Sequence, residues 1–375
     1  MEPLAKARNL LLGSALVLLS VGVVMIYSAS AIYAFESMGD SGYFIKRHLA
    51  YLALGAVLAF WAASMDIHGL RKHALPILGI ALALLAAVLI PHVGYSTGGA
   101  RRWFKILGFS FQPSEFLKIA LIFYMADYLD RKKAALNEIK STVLPALFVL
   151  GVSAGLILKE PDLGTAVTVC LVTLTLFFAA GFPFKYFLMI VAAALPVLSY
   201  LMLAKPYRRK RILAFFHPWD DPRGVGYQIV QSFLALGSGG LFGVGLGKSQ
   251  QKLFFLPESH TDFIFSIIGE ELGFVGAGAV VILFTLFIFA GMVIVFRAKS
   301  HFTQLLSLGL VSLIAIEACI NIGVSIGALP TKGLSLPFIS YGGSALLTNM
   351  TVLGLLVNIS KESAPVIEPS LTQGQ

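Results

Sequence analysis

The stretch "LPESHTDFIFSIIGEELGFVGAGAVVILF", residues 256–284, opens with three ionisable side chains, Glu258, His260 and Asp262, and then runs into apolar sequence that itself carries Glu270 and Glu271. The apolar run continues to about residue 296 without the period-2 alternation of a barrel strand, so it reads as a membrane-spanning helix. Carboxylates are costly in lipid and mark surfaces that face protein or water. In one continuous helix Glu270 would lie roughly 80° around from Asp262 and about 12 Å deeper, with Glu271 nearly opposite Asp262. Asp262 is then the carboxylate at the mouth. Glu270 and Glu271 are expected to be structural acids, held in ion pairs or hydrogen-bond networks. For His260 two readings stand, a group that titrates near neutrality and an ordinary hydrogen-bonded interfacial residue.

The rest of the chain has the same character. Of 375 residues, 57% are hydrophobic and 13% charged, with a mean hydropathy of +0.85; a soluble domain would carry roughly 25% charge. Apolar runs fall at 10–33, 47–65, 75–93, 115–129, 142–158, 163–181, 185–204, 263–296, 303–328 and 341–359. The expected fold is all-α, a polytopic integral membrane protein of about ten transmembrane helices. One domain would cover 1–360, with a large extracellular loop at 205–262 between spans 7 and 8. The polar tail 361–375 is expected to be disordered. The first run contains a cleavage-like "SASA" at 28–31 but is too long for a signal peptide, so it is read as an uncleaved span. Cys170 and Cys319 lie singly inside apolar runs and form no metal or disulfide pattern.

Ten spans put both termini on one side. Setting aside long segments, which report orientation poorly, leaves about 12 basic residues on the terminal side against about 4 on the other, so the termini are expected to be cytoplasmic. Two basic clusters remain on the outer face and need another reason to exist. In "KPYRRKRILAFFHPWDDPRGVGYQIVQS" (205–232), Arg208, Arg209, Lys210 and Arg211 precede interfacial aromatics. Guanidinium forks suit a lipid phosphate or diphosphate, and a generic belt against anionic lipid headgroups is the alternative. "TGGARRWFKILGFSFQPSEFLK" (97–118) adds Arg101 and Arg102, the interfacial anchor Trp103, and the pair Glu115 and Lys118 on one helix face. "LKEPDLGTA" (158–166) sets Lys159, Glu160 and Asp162 at a tight corner, either a wet hairpin or the wall of a polar cavity. "LGSGGLFGVGLGKSQQ" (236–251) lacks the P-loop pattern and reads as a flexible turn or a close helix crossing.

Five stretches in this order, "QPSEFLKIA" (112–120), "EPDLGTA" (160–166), "GYQIVQSFLALGSGGLFGVGLG" (226–247), "LPESHTDFIFSIIGEELGF" (256–274) and "GLSLPFISYGGSALLTN" (333–349), resemble the SEDS family (shape, elongation, division and sporulation) of bacterial membrane proteins. The resemblance runs from about 10 to 360 and is closer to the division and sporulation members than to the elongation members. It implies a peptidoglycan glycosyltransferase of the bacterial cytoplasmic membrane, placed at the division septum, that polymerises lipid II, a disaccharide-pentapeptide on undecaprenyl diphosphate. It also implies a class B penicillin-binding protein (an FtsI-like transpeptidase) and other divisome proteins as partners. The family's essential carboxylate falls on Asp262 and its polar cavity residues on Glu115, Lys118 and Asp162, and the matched "SYGGS" adds Tyr341 and Ser344 to the candidates. Glu317 departs from the pattern, where an uncharged polar residue such as glutamine is expected.

Polymerisation asks for a base to take a proton from a sugar hydroxyl and for cations to receive a diphosphate. Asp262 is the candidate base; Arg101, Arg102 and the 208–211 cluster are the candidate cations. No cofactor is demanded, a divalent ion such as Mg or Mn bridging diphosphate and carboxylate is left open, and no nucleic acid partner is expected. A lipid II flippase and a non-catalytic scaffold are the rival readings. Against the first stands the lack of an inverted repeat; against the second, the placement of Asp262.

Overall fold

In the computed structural model, which describes residues 2–97, 100–106, 108–203 and 206–363, each of the ten expected spans is a helix. They are α1 (Glu2–Met38), α2 (Tyr43–Ala62), α4 (Ala74–Val88), α5 (Pro113–Arg131), α6 (Leu144–Lys159), α7 (Leu163–Ala179), α8 (Phe184–Leu203), α11 (Ile264–Arg297), α12 (His301–Ser325) and α13 (Gly343–Glu362). Three short helices complete the set: α3 (Ile67–Arg71), α9 (Pro206–Phe216) and α10 (Tyr227–Gly239). The molecule is a polytopic integral membrane protein. Six helices (α1, α2, α6 with the π-turn before it, α11, α12 and α13) are long and apolar enough to cross a membrane on that ground alone. Helices α4, α7 and the first part of α8 are apolar but shorter, and α5 carries Glu115, Lys118, Asp127, Asp130 and Arg131. A helix with that many charges must bury them against protein, and most of α5 is buried.

The packing follows from small residues at crossings. Helix α1 lies along α11, α13 along α2, and α5 sits between α4, α7 and α12. A Cβ on Gly354 of α13 would stand 2.3 Å from the Ala59 carbonyl oxygen of α2, and one on Gly22 of α1 would stand 2.7 Å from the Phe338 carbonyl oxygen. Glycine at both points lets backbones meet.

The expected outline needs four revisions. Residues 95–111 add a three-stranded antiparallel sheet, β1 (Tyr95–Thr97), β2 (Ala100–Ile106) and β3 (Phe109–Phe111), to the helical fold. Alternation along "ARRWFKI" and the turn glycine Gly108 (φ 83°) make the β2–β3 hairpin. The segment 205–262 contains helices α9 and α10. Helix α13 reaches Glu362, so the expected tail loses its first residues to helix; 364–375 lie outside the described residues. Last, α11 begins only at Ile264, after the non-helical Phe263, so Asp262 precedes the helix and shares no continuous helical face with Glu270 and Glu271, and α11 is broken farther on at Gly273 (φ 70°, ψ −168°).

The break explains the glycine-rich stretch. It frees backbone groups on α11 that must be satisfied away from water. Val244 and Gly245 donate to the Glu270 and Glu271 carbonyls (3.0 and 3.1 Å), while Phe274 and Val275 donate to the Gly240 and Leu241 carbonyls (2.9 and 3.1 Å). Close approach, rather than flexibility, is what the glycines serve. A Cβ on Gly239 would stand 1.9 Å from the Gly269 carbonyl oxygen, and one on Gly243 would stand 2.1 Å from that of Glu271.

Candidate active site

Asp262 is set by a staple between two loops. Asn321 on α12 gives its side-chain amide to the Asp262 carbonyl (2.9 Å) and to that of Leu334 (2.7 Å). The Ser340 hydroxyl donates to the Thr261 carbonyl (2.6 Å), and the Tyr341 amide to that of His260 (3.0 Å). These bonds lock 260–262 onto the strap 334–341. The Asp262 side chain turns toward Gly333, where a Cβ would come within 3.0 Å of its Oδ2.

Asp262 also feels the α6–α7 corner, which is buried rather than a wet hairpin. Glu160 is fully buried and Asp162 nearly so. Asp162 caps α7 by accepting from the Thr165 amide (2.9 Å). Arg102 on β2 donates through Nε to the Glu160 carbonyl (2.7 Å) and through Nη2 to that of Pro161 (3.0 Å), and its Nη1 stands 3.7 Å from Asp162 Oδ2. Arg101, next along the strand, points to the other face and donates to the Leu89 carbonyl (3.2 Å). Of that expected pair only Arg102 enters the site.

Charge converges on Asp262. Burial pushes its carboxyl up to about 7, with Glu258 and Asp162 pushing the same way and Arg211 and Arg102 opposing. Asp262 nevertheless keeps a partly accessible surface, as a base at a mouth requires. Burial likewise raises Glu160 to about 8, Asp162 adding to the effect and Arg102 and the nearby Ser114 hydroxyl opposing it. Neither Glu160 oxygen makes a well-formed hydrogen bond. Arg211 on α9 is exposed and faces the site electrostatically; Arg209 is also exposed. The side chain of Arg208 lies outside the described residues.

Behind this mouth the Lys118 ammonium is held by two acids, Glu115 at 2.8 Å and Glu317 of α12 at closer range. All three are buried. The charged residue at 317 thus completes a triad with the expected Glu115–Lys118 pair.

A profile of the cell cycle protein family named for FtsW, RodA and SpoVE matches residues 8–364. The chain belongs to the FtsW/RodA/SpoVE family. It is 46% identical over 357 residues to a protein of Trichlorobacter lovleyi named probable peptidoglycan glycosyltransferase FtsW, covering 95% of this chain and 94% of that one. It is 40% identical to stage V sporulation protein E of Bacillus subtilis, covering 93% and 95%. Among solved structures, a chain of a peptidoglycan synthase complex in which polymerisation and crosslinking are coordinated superposes with a TM-score of 0.77 at 28% identity, covering 94% and 97%. The rod shape determining protein RodA of Thermus thermophilus gives 0.70 at 28%, covering 95% and 97%.

The remaining candidates of this family member sit around the mouth rather than in it. Glu270 accepts from the Ser249 hydroxyl and the Gln250 amide (2.9 Å), and Glu271 from Lys252 Nζ (2.7 Å) and the Ser28 hydroxyl of α1 (2.7 Å). Both acids face the turn at 249–252 and clamp it to α11 and α1. His260 is buried, which lowers its pKa, and its ring lies among Phe44 (4.6 Å), Tyr33 (5.8 Å) and Tyr341 (5.9 Å). Burial raises Tyr341 to about 12. Ser344 accepts from the Gln112 amide (2.9 Å) and donates to the Ser110 carbonyl (3.1 Å), joining α13 to β3. Trp103 pairs with Tyr95 in the sheet.

Among the described residues no three His, Cys, Asp or Glu side chains converge as metal ligands. Asp162 is already engaged by Thr165 and Arg102. These side chains do not by themselves form a divalent-ion site. Sequence reading overlooked Asn321, although it lies four residues beyond Glu317 and so on the same helix face, which was the available signal.

Proposed function

We propose that this chain is a peptidoglycan glycosyltransferase that polymerises lipid II at the outer face of the bacterial cytoplasmic membrane. The observation that carries the reading is a single carboxylate, Asp262, with a pKa of about 7, held rigidly at a mouth where Arg102, Arg211 and Asp162 converge. The activity is the one named for relatives such as that of Trichlorobacter lovleyi.

In the reaction a sugar hydroxyl of one chain attacks the anomeric carbon of another. Its O–H proton passes to Asp262, the new C–O bond forms, and the bond to the diphosphate oxygen breaks with its electron pair. A base near neutrality is matched to that task. The departing diphosphate gains negative charge as Arg102 and Arg211 face it. Because diphosphate leaves readily, no second carboxylic acid is needed, in contrast to glycoside hydrolysis. Single displacement makes the product anomer inverted. Both termini lie in the cytoplasm in this reading, the site of action is the division septum, and a class B penicillin-binding protein crosslinks the glycan; a structural relative taken from a peptidoglycan synthase complex supports such a pairing.

The test is polymerisation of labelled lipid II by the purified protein, with and without that partner, the products being sized on a gel. The parent should make polymer and Asp262→Ala should make none while remaining folded. Polymer from Asp262→Ala would end the assignment of the base, and no polymer from the parent under any partner condition would end the reading.

A further inference from the structure

The cations already placed at the mouth do not include every one the strap offers. Arg102 spends two of its donors on the Glu160 and Pro161 carbonyls and turns its third toward Asp162. Arg211 is exposed on α9. Lys332 differs from both. It directly precedes Gly333, the residue against which Asp262 Oδ2 rests, in the strap that Asn321 pins at Leu334 and at Asp262 together. Its own carbonyl accepts from the Leu334 amide (3.1 Å), a tight turn that fixes the lysine's backbone at the strap's edge.

Lys332 is half-buried, and among the described residues no hydrogen bond or ion pair is made by its ammonium. Burial lowers its pKa with no acidic neighbour to offset the effect. A desolvated cation without a counter-charge is unfavourable unless an anion completes it. Asp262 is one residue away along the strap contact, yet it does not pair with this lysine. In a single displacement the attacking oxygen, whose proton goes to the base, and the departing diphosphate oxygen stand on opposite sides of the anomeric carbon. A cation for the leaving group therefore stands about a sugar ring's width from the base, near enough to share its site and far enough not to neutralise it.

Resting on the glycosyltransferase reading above, we infer that Lys332 is an anion subsite for the polyprenyl diphosphate of the substrate, closing on it together with Arg102 and Arg211. Its role is to hold the diphosphate and to receive its charge as the bond to the anomeric carbon breaks; no proton is moved by it.

The experiment is equilibrium binding of undecaprenyl diphosphate and of undecaprenol to the full chain in detergent, for the parent, Lys332→Met and Lys332→Arg, with lipid II kinetics beside it. Methionine keeps the apolar stem and removes the charge. Loss of one charge-assisted contact should weaken diphosphate binding about 10- to 100-fold in Lys332→Met and leave undecaprenol binding within about threefold, with arginine restoring most of the loss. The KM for lipid II should rise in parallel. Diphosphate affinity within twofold of the parent in Lys332→Met overturns the inference. So does an equal loss of undecaprenol binding, which would mark a packing defect, or a parent that binds diphosphate no better than undecaprenol. If Asp262→Ala still polymerises while Lys332→Met loses diphosphate, the base assignment fails and the subsite stands.

Discussion

Asp262 and Glu160 are carboxyls whose protons are held more tightly in the fold than in the free chain, and pH reports on each differently. Asp262 acts as base only when deprotonated, so kcat/KM should rise as pH increases through about 7 and level off above it. Arg102 opposes the upward shift; Arg102→Gln should therefore move the midpoint to higher pH as well as weaken substrate binding. A midpoint that stays put or falls would sink the electrostatic account. Glu160 is a stability matter. With its folded pKa raised from 4.5 to about 8, the native state holds a proton that the unfolded chain releases, so this residue's contribution falls as pH rises between those values. Glu160→Gln keeps the shape without the charge and should raise Tm in detergent at about pH 9 but hardly at about pH 5. Equal shifts at both pH values would contradict a buried, proton-holding acid. Asp262 was legible in the sequence because an acid ahead of a long apolar run is rare. The depth of Glu160 was not, since "KEPD" reads equally well as a solvated turn.

At the scale of elements, the legible part was the helices, whose long apolar runs leave little choice inside a bilayer. The short sheet was hidden by two adjacent arginines that look like one phosphate-binding pair; only strand geometry sends Arg101 to the α4 end and Arg102 to the site. The break at Gly273 was hidden too, because "GEELGFVGAG" is compatible with continuous helix and its satisfying partner lies about 30 residues earlier in the chain. This pairing is open to a direct check. Gly243 has φ 80° and no room for a Cβ against the Glu271 carbonyl, whereas a Cβ on Gly237 in α10 meets nothing within 4 Å. Gly243→Ala should cost about 2 kcal/mol or more, while Gly237→Ala should be neutral or stabilising by up to about 1 kcal/mol, both read as Tm shifts in detergent. Equal shifts in the two variants would refute the backbone pairing between the glycine-rich stretch and α11.

Across the whole molecule, polar networks hold the bundle at its two ends while apolar contacts fill the middle. The network at the end away from the mouth joins three helices. Arg71 at the end of α3 donates to Asp127 and Asp130 of α5, both at 2.7 Å, His301 at the start of α12 meets Asp130 at 3.1 Å, and the guanidinium lies 4.7 Å from the Phe302 ring centre. None of these residues belongs to the mouth, which lies at the other end of α5 and α12. Which helices meet in this way was not legible beforehand, because apolar runs of similar composition do not name their partners. The division predicts that stability and activity separate. Among the described residues Arg71→Ala leaves the buried Asp127 with only the exposed Arg131 at 2.8 Å and should cost about 2–3 kcal/mol, discounted from the value for a fully buried pair because Arg71 is itself partly exposed. The variant should melt several degrees lower in detergent, yet polymerise lipid II at a rate per folded molecule within about twofold of the parent. Asp262→Ala should do the reverse, since removing a carboxyl whose charge is disfavoured by burial leaves Tm equal or higher while polymer disappears. Loss of polymerisation in Arg71→Ala at unchanged Tm would show that the Arg71 clamp sets the distant mouth directly, and the two ends would then have to be treated as one coupled device.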